Sequence, residues 1–281
     1  FTWDEIRSNN LRTTLLFTAF FFLVAGLATA IGFVLNNLIL GWGIGLIFFC
    51  GYGLFAYYNG SNMALSLTGA QPADQNQYRT LHNVVEEIAI AASIPKPDVY
   101  IMENDTPNAF ATGMKPEKSA VAVTTGLLKT MNRDELTGVV AHEIAHIKHQ
   151  DTKTMLIAGV LVGSIAILSD IFFRVSIFGG GRERNNWVFI IIGLLAMILA
   201  PVIAELIRLA VSRKREFAAD AKAVEYTRNP AGMSGALKKL KQASKQDQAA
   251  TRSLNHMFIR SNLDDESLTN RLFSTHPTLD E

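Results

Sequence analysis

Residues 141–146 have the sequence AHEIAH, and this short stretch decides how the rest of the chain is interpreted. Residues four apart lie on the same face of an α-helix, so the imidazoles of His142 and His146 can converge on one metal ion. The carboxylate of Glu143 lies beside them, where it can take a proton from a metal-bound water. The stretch therefore predicts a metal site on a helix, with a general base next to it.

The flanking sequence predicts a helix from Arg133 to His149. Asn132 can cap its N-terminus, and Asp134 and Glu135 in the first turn suit the positive end of the helix dipole. A surface helix with two unrelated histidines is the alternative, but the helix has an apolar face that indicates burial. That face consists of Leu136, Val139, Val140, Ile144 and Ile147.

A catalytic zinc needs a third protein ligand and an open position for water. The metzincin pattern does not fit, because His149 stands where that pattern needs glycine and Thr152 where it needs histidine. His149 also lies too far along the helix to bind the same ion comfortably. We interpret it as a solvated histidine or as one that supports the site without binding the metal.

A later helix can supply the third ligand. Glu216 is the candidate, and Asp220, one turn further on, can orient a ligand histidine through its ring N–H. An acidic pair at this spacing is usually a solvated helix face. Here the neighbouring residues Ala218, Ala219 and Ala221 indicate close packing against another helix.

The composition predicts a membrane protein. Hydrophobic residues make up 49% of the 281 residues, charged residues only 18%, and the apolar residues come in long blocks. Four blocks are long enough to span a bilayer: residues 13–35, 38–58, 155–177 and 187–211. The first block is longer than the core of a signal peptide, so we expect an anchor that is retained. The last two blocks could instead form the core of a soluble domain.

Three further features exclude particular partners or kinds of site. The net charge of +1 comes without a polybasic face, so no nucleic-acid partner is predicted. Cys50 is the one cysteine, so an intramolecular disulfide is impossible and a cysteine-based metal or redox site is implausible. Gly41, Gly43 and Gly45 are interpreted as helix-packing positions and not as a nucleotide-binding loop.

The blocks divide the chain into four segments. Residues 1–58 form a first transmembrane hairpin and residues 154–211 a second one. Residues 59–153 and 212–281 together form the catalytic domain. Most Lys and Arg residues lie on the side of this domain, which predicts that it faces the cytosol, although Arg174, Arg182 and Arg184 count against this orientation.

The two polar segments contain short regular elements. We expect an amphipathic helix over residues 77–92 and strands over residues 98–102, 109–111 and 119–124, of which 109–111 is edge-like. Further helices are expected over residues 212–226 and 230–245. The fold class is therefore a mainly α membrane protein with an α+β catalytic domain that carries a small sheet.

Four motifs lie along the chain: residues 142–146, SRKREFAAD at 212–220, NAFATG at 108–113 and FSTHP at 273–277. Together they resemble the HtpX membrane metalloproteases, which belong to a wider family with the CAAX prenyl proteases and mitochondrial stress-activated inner-membrane proteases. The likeness extends in order over nearly the whole chain and includes the four-span layout. CAAX proteases carry more spans, so HtpX is the closer match.

The resemblance implies a zincin-like domain that binds one Zn²⁺ through His142, His146 and Glu216, with Glu143 as general base. It implies that Asn108 and Ala109 belong to an edge strand that hydrogen-bonds an extended substrate, and that His276 supports the oxyanion or the wall of the site. The implied role is quality control of misfolded or damaged membrane proteins. The implied location is a bacterial or archaeal cytoplasmic membrane, with the bilayer and unfolded polypeptides as partners and the site facing the cytosol.

Two other classes of protein fit some of these features. A transporter or channel with a regulatory zinc site would explain the spans and the histidines, but it leaves Glu143 without a role. Its path should also place ionisable residues in the middle of a span, whereas Asp170, Arg174, Glu205 and Arg208 lie toward span ends. A catalytically silent scaffold is disfavoured because base and ligands are all present. The sequence does not identify the substrate or the oligomeric state.

Overall fold

The computed structural model describes residues 2–34, 37–159 and 213–255. Contacts along the chain divide it into two units. The first contains residues 1–9, 57–156 and 212–281, and the second contains residues 10–56 and 157–211. The domain boundaries expected at residues 58, 153 and 211 remain predictions.

Two long helices, α1 (Thr2–Val34) and α2 (Leu38–Leu67), begin the chain. In the second unit they approach closely at glycines. A Cβ atom on Gly41 would collide with the carbonyl oxygen of Ala28, and one on Gly45 would lie 2.5 Å from Ala28 Cβ. Among the described residues, a Cβ atom on Gly43 would meet nothing within 4 Å. The helix-packing interpretation is therefore confirmed for Gly41 and Gly45, and for Gly43 it stays a prediction.

Helix α2 contains a candidate membrane span. Among the described residues, Leu38–Phe55 is the segment long and apolar enough to cross a bilayer, and the apolar segment of α1, Thr13–Gly26, is shorter. Large apolar side chains on α2 are exposed, Ile39 at 86% and Ile47 at 75%, as suits a lipid-facing helix. Residues 151–159 are helical. Most of the third expected span and all of the fourth lie outside the described residues, so the count of four spans stays a prediction.

The first unit contains a small mixed sheet, with β1 (Gln71–Pro72), β2 (Asp98–Met102), β3 (Ala109–Lys115) and β4 (Lys118–Thr124). Its order is β1-β2-β4-β3, where β2 and β4 are parallel and the other pairs antiparallel. Within the described part of the sheet, β3 lies at one edge, as expected for residues 109–111. The strand is longer than expected because it continues to Lys115 in the hairpin with β4.

Five helices complete the described part of this unit: α3 (Arg79–Ala92), α4 (Thr125–Thr130), α5 (Arg133–Lys148), α6 (Arg213–Thr227) and α7 (Pro230–Asn255). Helix α5 lies at the centre, packed against α3, α6, α7 and β3. Its N-terminus carries the expected cap, in which Asn132 and Glu135 each hydrogen-bond the other's backbone N–H. The side chains of Val140, Ala141 and Ile144 are fully buried in the core around α5. The helix that carries the two histidines is thus held on several sides.

Candidate metal centre

The two histidines of α5 face each other in the protein interior. His142 is 6% exposed and His146 is 1% exposed, and their Nε2 atoms lie 3.1 Å apart. This is the arrangement that the four-residue spacing predicts, since such residues lie one above the other on a helix face. Both rings therefore present a nitrogen to the same point.

Helix α6 brings a carboxylate to that point. Glu216 Oε2 lies 3.5 Å from His142 Nε2, and Glu216 Oε1 lies 3.7 Å from His146 Nε2. Ala219 and Ala223 of α6 are fully buried, so α6 presents small residues to its neighbours and can pack closely against α5. The structure thus brings together the three residues expected to bind the metal, with one possible ligand atom from each within 4.8 Å of the others.

The distances suit zinc. Two histidine nitrogens that bind one tetrahedral Zn²⁺ at ~2.0–2.1 Å stand roughly 3.3 Å apart, and the observed separation of the two Nε2 atoms is 3.1 Å. Two imidazoles and one carboxylate are also a usual donor set for catalytic zinc. The residues present therefore fit a zinc ion with an open fourth position.

Each histidine has a carboxylate on its other ring nitrogen. Asp220 Oδ1 lies 2.7 Å from His142 Nδ1, and Asp151 Oδ2 lies 3.0 Å from His146 Nδ1. The structure thus places Asp220 where a residue that orients a ligand histidine would lie. Asp151 was not among the residues predicted from the sequence. The one signal for it was an aspartate just after the end of α5, and helical periodicity cannot place a side chain beyond the helix end.

The surrounding carboxylates change the protonation of His146. Burial lowers the pKa of His146. Hydrogen bonds to Asp151 and Glu216 and the charges of both carboxylates outweigh burial and raise the pKa to about 9. Carboxylate oxygens of Asp151 and Glu216 lie on both sides of the buried ring, so the centre of the cluster favours positive charge. A cation is the natural occupant of such a position.

Glu143 lies in α5 directly after His142. Its side chain is buried, at 1% exposure, in the same helix turn as the metal-facing rings. The position suits the expected base, and that role remains a proposal.

Two other histidines were expected to matter. His149 caps the C-terminus of α5 and is 1% exposed, so the solvated alternative is wrong and the supporting role stays a prediction. Its burial depends on the residues that pack around the end of α5, which the pattern within one helix does not contain. His276 and the motif at residues 273–277 lie outside the described residues, so their expected roles are untested.

Strand β3 forms one end of the described sheet and packs against α5. Thr124 N–H donates to the carbonyl oxygen of Asn108 at 2.9 Å, so the backbone groups of Asn108 face β4. Because these directions alternate along an antiparallel strand, the N–H and C=O groups of Ala109 and Ala111 point to the outer edge. The side-chain oxygen of Asn108 accepts the N–H of Ala109 at 2.9 Å. Asn108 itself is exposed, whereas Ala109 is 5% exposed.

These features define the class of protein. The described residues contain the parts of a metallopeptidase. These are helix α5 with the HExxH spacing, a glutamate that α6 brings to the same point, and strand β3 packed against α5. Residues 75–281 match peptidase family M48, and the chain belongs to this family. The predicted metallopeptidase class is thereby confirmed.

Curated relatives extend over the full chain. A "Protease HtpX homolog" from Caldanaerobacter subterraneus is 39% identical, covering 100% of this chain and 95% of the relative. One from Streptococcus uberis is 39% identical over 99% of this chain and 96% of its own length. "Protease HtpX" from Legionella pneumophila is 39% identical over 97% of this chain and 96% of its own. The resemblance to the HtpX proteases is confirmed.

One solved structure is also similar. The crystal structure of S. mikatae Ste24p aligns with 98% of this chain at 17% sequence identity and a TM-score of 0.45. This chain spans 64% of the length of that protein.

Proposed function

We propose that this protein is a zinc-dependent endopeptidase of a cytoplasmic membrane that hydrolyses misfolded or damaged proteins, including membrane proteins, on the cytosolic side. One observation carries the proposal. His142, His146 and Glu216 converge within 4.8 Å, and a carboxylate lies against the outer nitrogen of each histidine. Catalytic zinc sites are built in this way, with orienting carboxylates behind the ligand histidines.

The chemistry is hydrolysis of a peptide bond. Zinc held by His142, His146 and Glu216 would lower the pKa of a bound water and polarise the scissile carbonyl. Glu143 takes one proton from the attacking water and later delivers it to the nitrogen of the leaving amine. The water oxygen ends in the new carboxyl group, and the C–N bond breaks.

Strand β3 is the proposed binding site for the substrate backbone. The N–H and C=O groups of Ala111 point to the outer edge of the sheet, as does the C=O of Ala109, so an extended chain can add there by main-chain hydrogen bonds. Recognition through the backbone depends little on substrate side chains. It suits a peptidase that acts on many unfolded polypeptides.

The proposed location rests on sequence and on the candidate span. Leu38–Phe55 is long and apolar enough to cross a bilayer. The excess of Lys and Arg on the side of the catalytic segments supports a cytosolic site. The curated relatives are bacterial proteases named HtpX, which supports a bacterial quality-control and stress-response protease.

Metal removal tests the proposal. The full chain in detergent is treated with a chelator, dialysed and then given one equivalent of Zn²⁺, and cleavage of an unfolded protein is followed at each stage. We expect cleavage to stop after chelation and to return with zinc. Cleavage that persists without metal would exclude a metallopeptidase. Stoichiometric zinc binding without any cleavage would favour the silent scaffold.

A further inference from the structure

Asp151, which follows the turn after α5, forms a buried ion pair with Arg215 of α6, and the proposed catalytic chemistry does not use this pair. Asp151 is 1% exposed, and its Oδ1 lies 3.6 Å from Nη1 of Arg215, which is 7% exposed. The other carboxylate oxygen of Asp151 lies 3.0 Å from His146 Nδ1. One carboxylate therefore contacts both a proposed zinc ligand and the residue that precedes another, since Arg215 is followed by Glu216.

The burial of the Asp151 and Arg215 charges has a free-energy cost. A charged group taken out of water is costly unless a partner of opposite charge and hydrogen bonds compensate, and a buried ion pair seldom adds net stability. Such a pair is better explained by what it positions. Here it links the end of the helix that carries His142 and His146 to the first turn of the helix that carries Glu216.

The turn itself is held in place. Gln150, in the turn directly after α5, adopts a left-handed backbone conformation with φ of 59°. Thr152 Oγ donates to the carbonyl oxygen of Gly113 in β3 at 3.0 Å, in the buried interior. Asp151 thus lies between two fixed residues. Gln150 before it forms the turn, and Thr152 after it makes a hydrogen bond to β3.

We propose that Asp151 and Arg215 are a positioning pair for the metal centre. Asp151 holds the ring of His146 so that Nε2 faces the ion. Arg215 holds Asp151 and sets the position of Glu216 relative to the two histidines. Asp220 has a different role, because it lies on α6 and contacts the other histidine, His142. The inference rests on the proposed zinc site.

Zinc affinity is the direct readout. The full chain in detergent is titrated with Zn²⁺ in competition with a chromophoric chelator, and the absorption spectrum of the Co²⁺-loaded protein is recorded. We expect Asp151→Asn, which keeps size and removes charge, to weaken zinc binding roughly 10- to 100-fold and to shift the Co²⁺ bands. Asp105→Asn is the matched control, because Asp105 is an exposed carboxylate paired with Lys129. It should change neither quantity.

A double-mutant cycle tests the pair. Asp151→Asn, Arg215→Gln and the double variant are compared by zinc affinity and by thermal midpoint after chelation. If the two residues act as a unit, the loss of affinity in the double variant is smaller than the product of the single losses. In the double variant both members of the ion pair are neutral, so it should fold even where Arg215→Gln, which leaves the Asp151 charge without Arg215, melts early.

The possible failures are distinguishable. If the wild type binds no zinc, the proposed function fails and the inference fails with it. If the wild type binds one zinc and Asp151→Asn binds it within twofold of the wild type with an unchanged Co²⁺ spectrum, only the inference is overturned. If the loss of zinc affinity in the double variant equals the product of the two single losses, the pairing with Arg215 is overturned.

Discussion

Asp220 Oδ1 lies 2.7 Å from Nδ1 of His142, on the side of the ring opposite to the nitrogen that faces the metal centre. Glu216, one helical turn earlier, lies 3.5 Å from Nε2 of the same ring. Helix α6 therefore contacts His142 at both ring nitrogens, with one carboxylate toward the ion and one behind it. The i, i+4 spacing of two acidic residues is used here to hold one imidazole.

Replacing Asp220 with Asn should loosen this arrangement. We expect zinc binding to weaken roughly 10- to 100-fold, because the neutral amide orients the ring less strongly and makes its metal-facing nitrogen less basic. Chelator competition measures the change. Glu225→Gln, which removes an exposed carboxylate of the same helix, should leave zinc affinity unchanged. Equal affinities for Asp220→Asn and wild type would remove Asp220 from this role.

Replacing Glu216 with Ala should remove a ligand and not merely a support. Two histidines alone hold zinc poorly, so we expect the purified variant to contain much less than one zinc per chain. Elemental analysis after dialysis against a weak chelator gives the occupancy. Full occupancy in this variant would mean that the third ligand lies elsewhere.

Glu135 should make stability depend on acid pH. A hydrogen bond from Lys239 and one from the Asn132 backbone hold the pKa of Glu135 below its ordinary value of 4.5. A depressed carboxyl pKa stabilises the fold above the unfolded pKa, and this contribution is lost as pH falls through the lower, folded value.

We therefore expect the thermal midpoint to fall as pH is lowered below about 4.5, and to fall less steeply in Glu135→Gln. Because Lys239 joins α7 to the start of α5 through this contact, Lys239→Met should flatten the profile in the same way. A profile for Glu135→Gln that runs parallel to the wild type down to the acid limit would contradict this account.

Overpacking α6 should disturb the fold around the metal centre. Ala219 is fully buried, so Ala219→Leu inserts three carbon atoms where no space exists and should cost about 1–3 kcal/mol of unfolding free energy. It should also lower zinc occupancy, since Glu216 lies one turn away. Phe217→Ala is the matched control on the same helix, because Phe217 is 72% exposed. An equal effect of both substitutions on the thermal midpoint would argue against close packing of α6.

Local patterns predicted the elements that depend on local chemistry. The four-residue spacing placed His142 and His146 on one face, and the Asn132 cap gave the start of α5. Strand β2 begins and ends at the expected residues. Each of these follows from periodicity or capping within a few residues.

Features that depend on tertiary structure were not predicted. Asp151 follows a left-handed residue, so no helical or strand period determines where its carboxylate points. His149 belongs to the last turn of an apparently amphipathic helix, and its burial depends on what covers it. The order of the strands in the sheet likewise results from the crossover between β2 and β4, which a single-strand pattern does not contain.

The most direct test of the account compares the wild type with Glu143→Gln. Both are purified in detergent, their zinc content is measured, and cleavage of an unfolded protein is followed under identical conditions. The account predicts one zinc per chain in both and cleavage by the wild type alone, because the amide cannot accept the proton of the attacking water. Absence of zinc from both proteins, or equal cleavage by both, would contradict it.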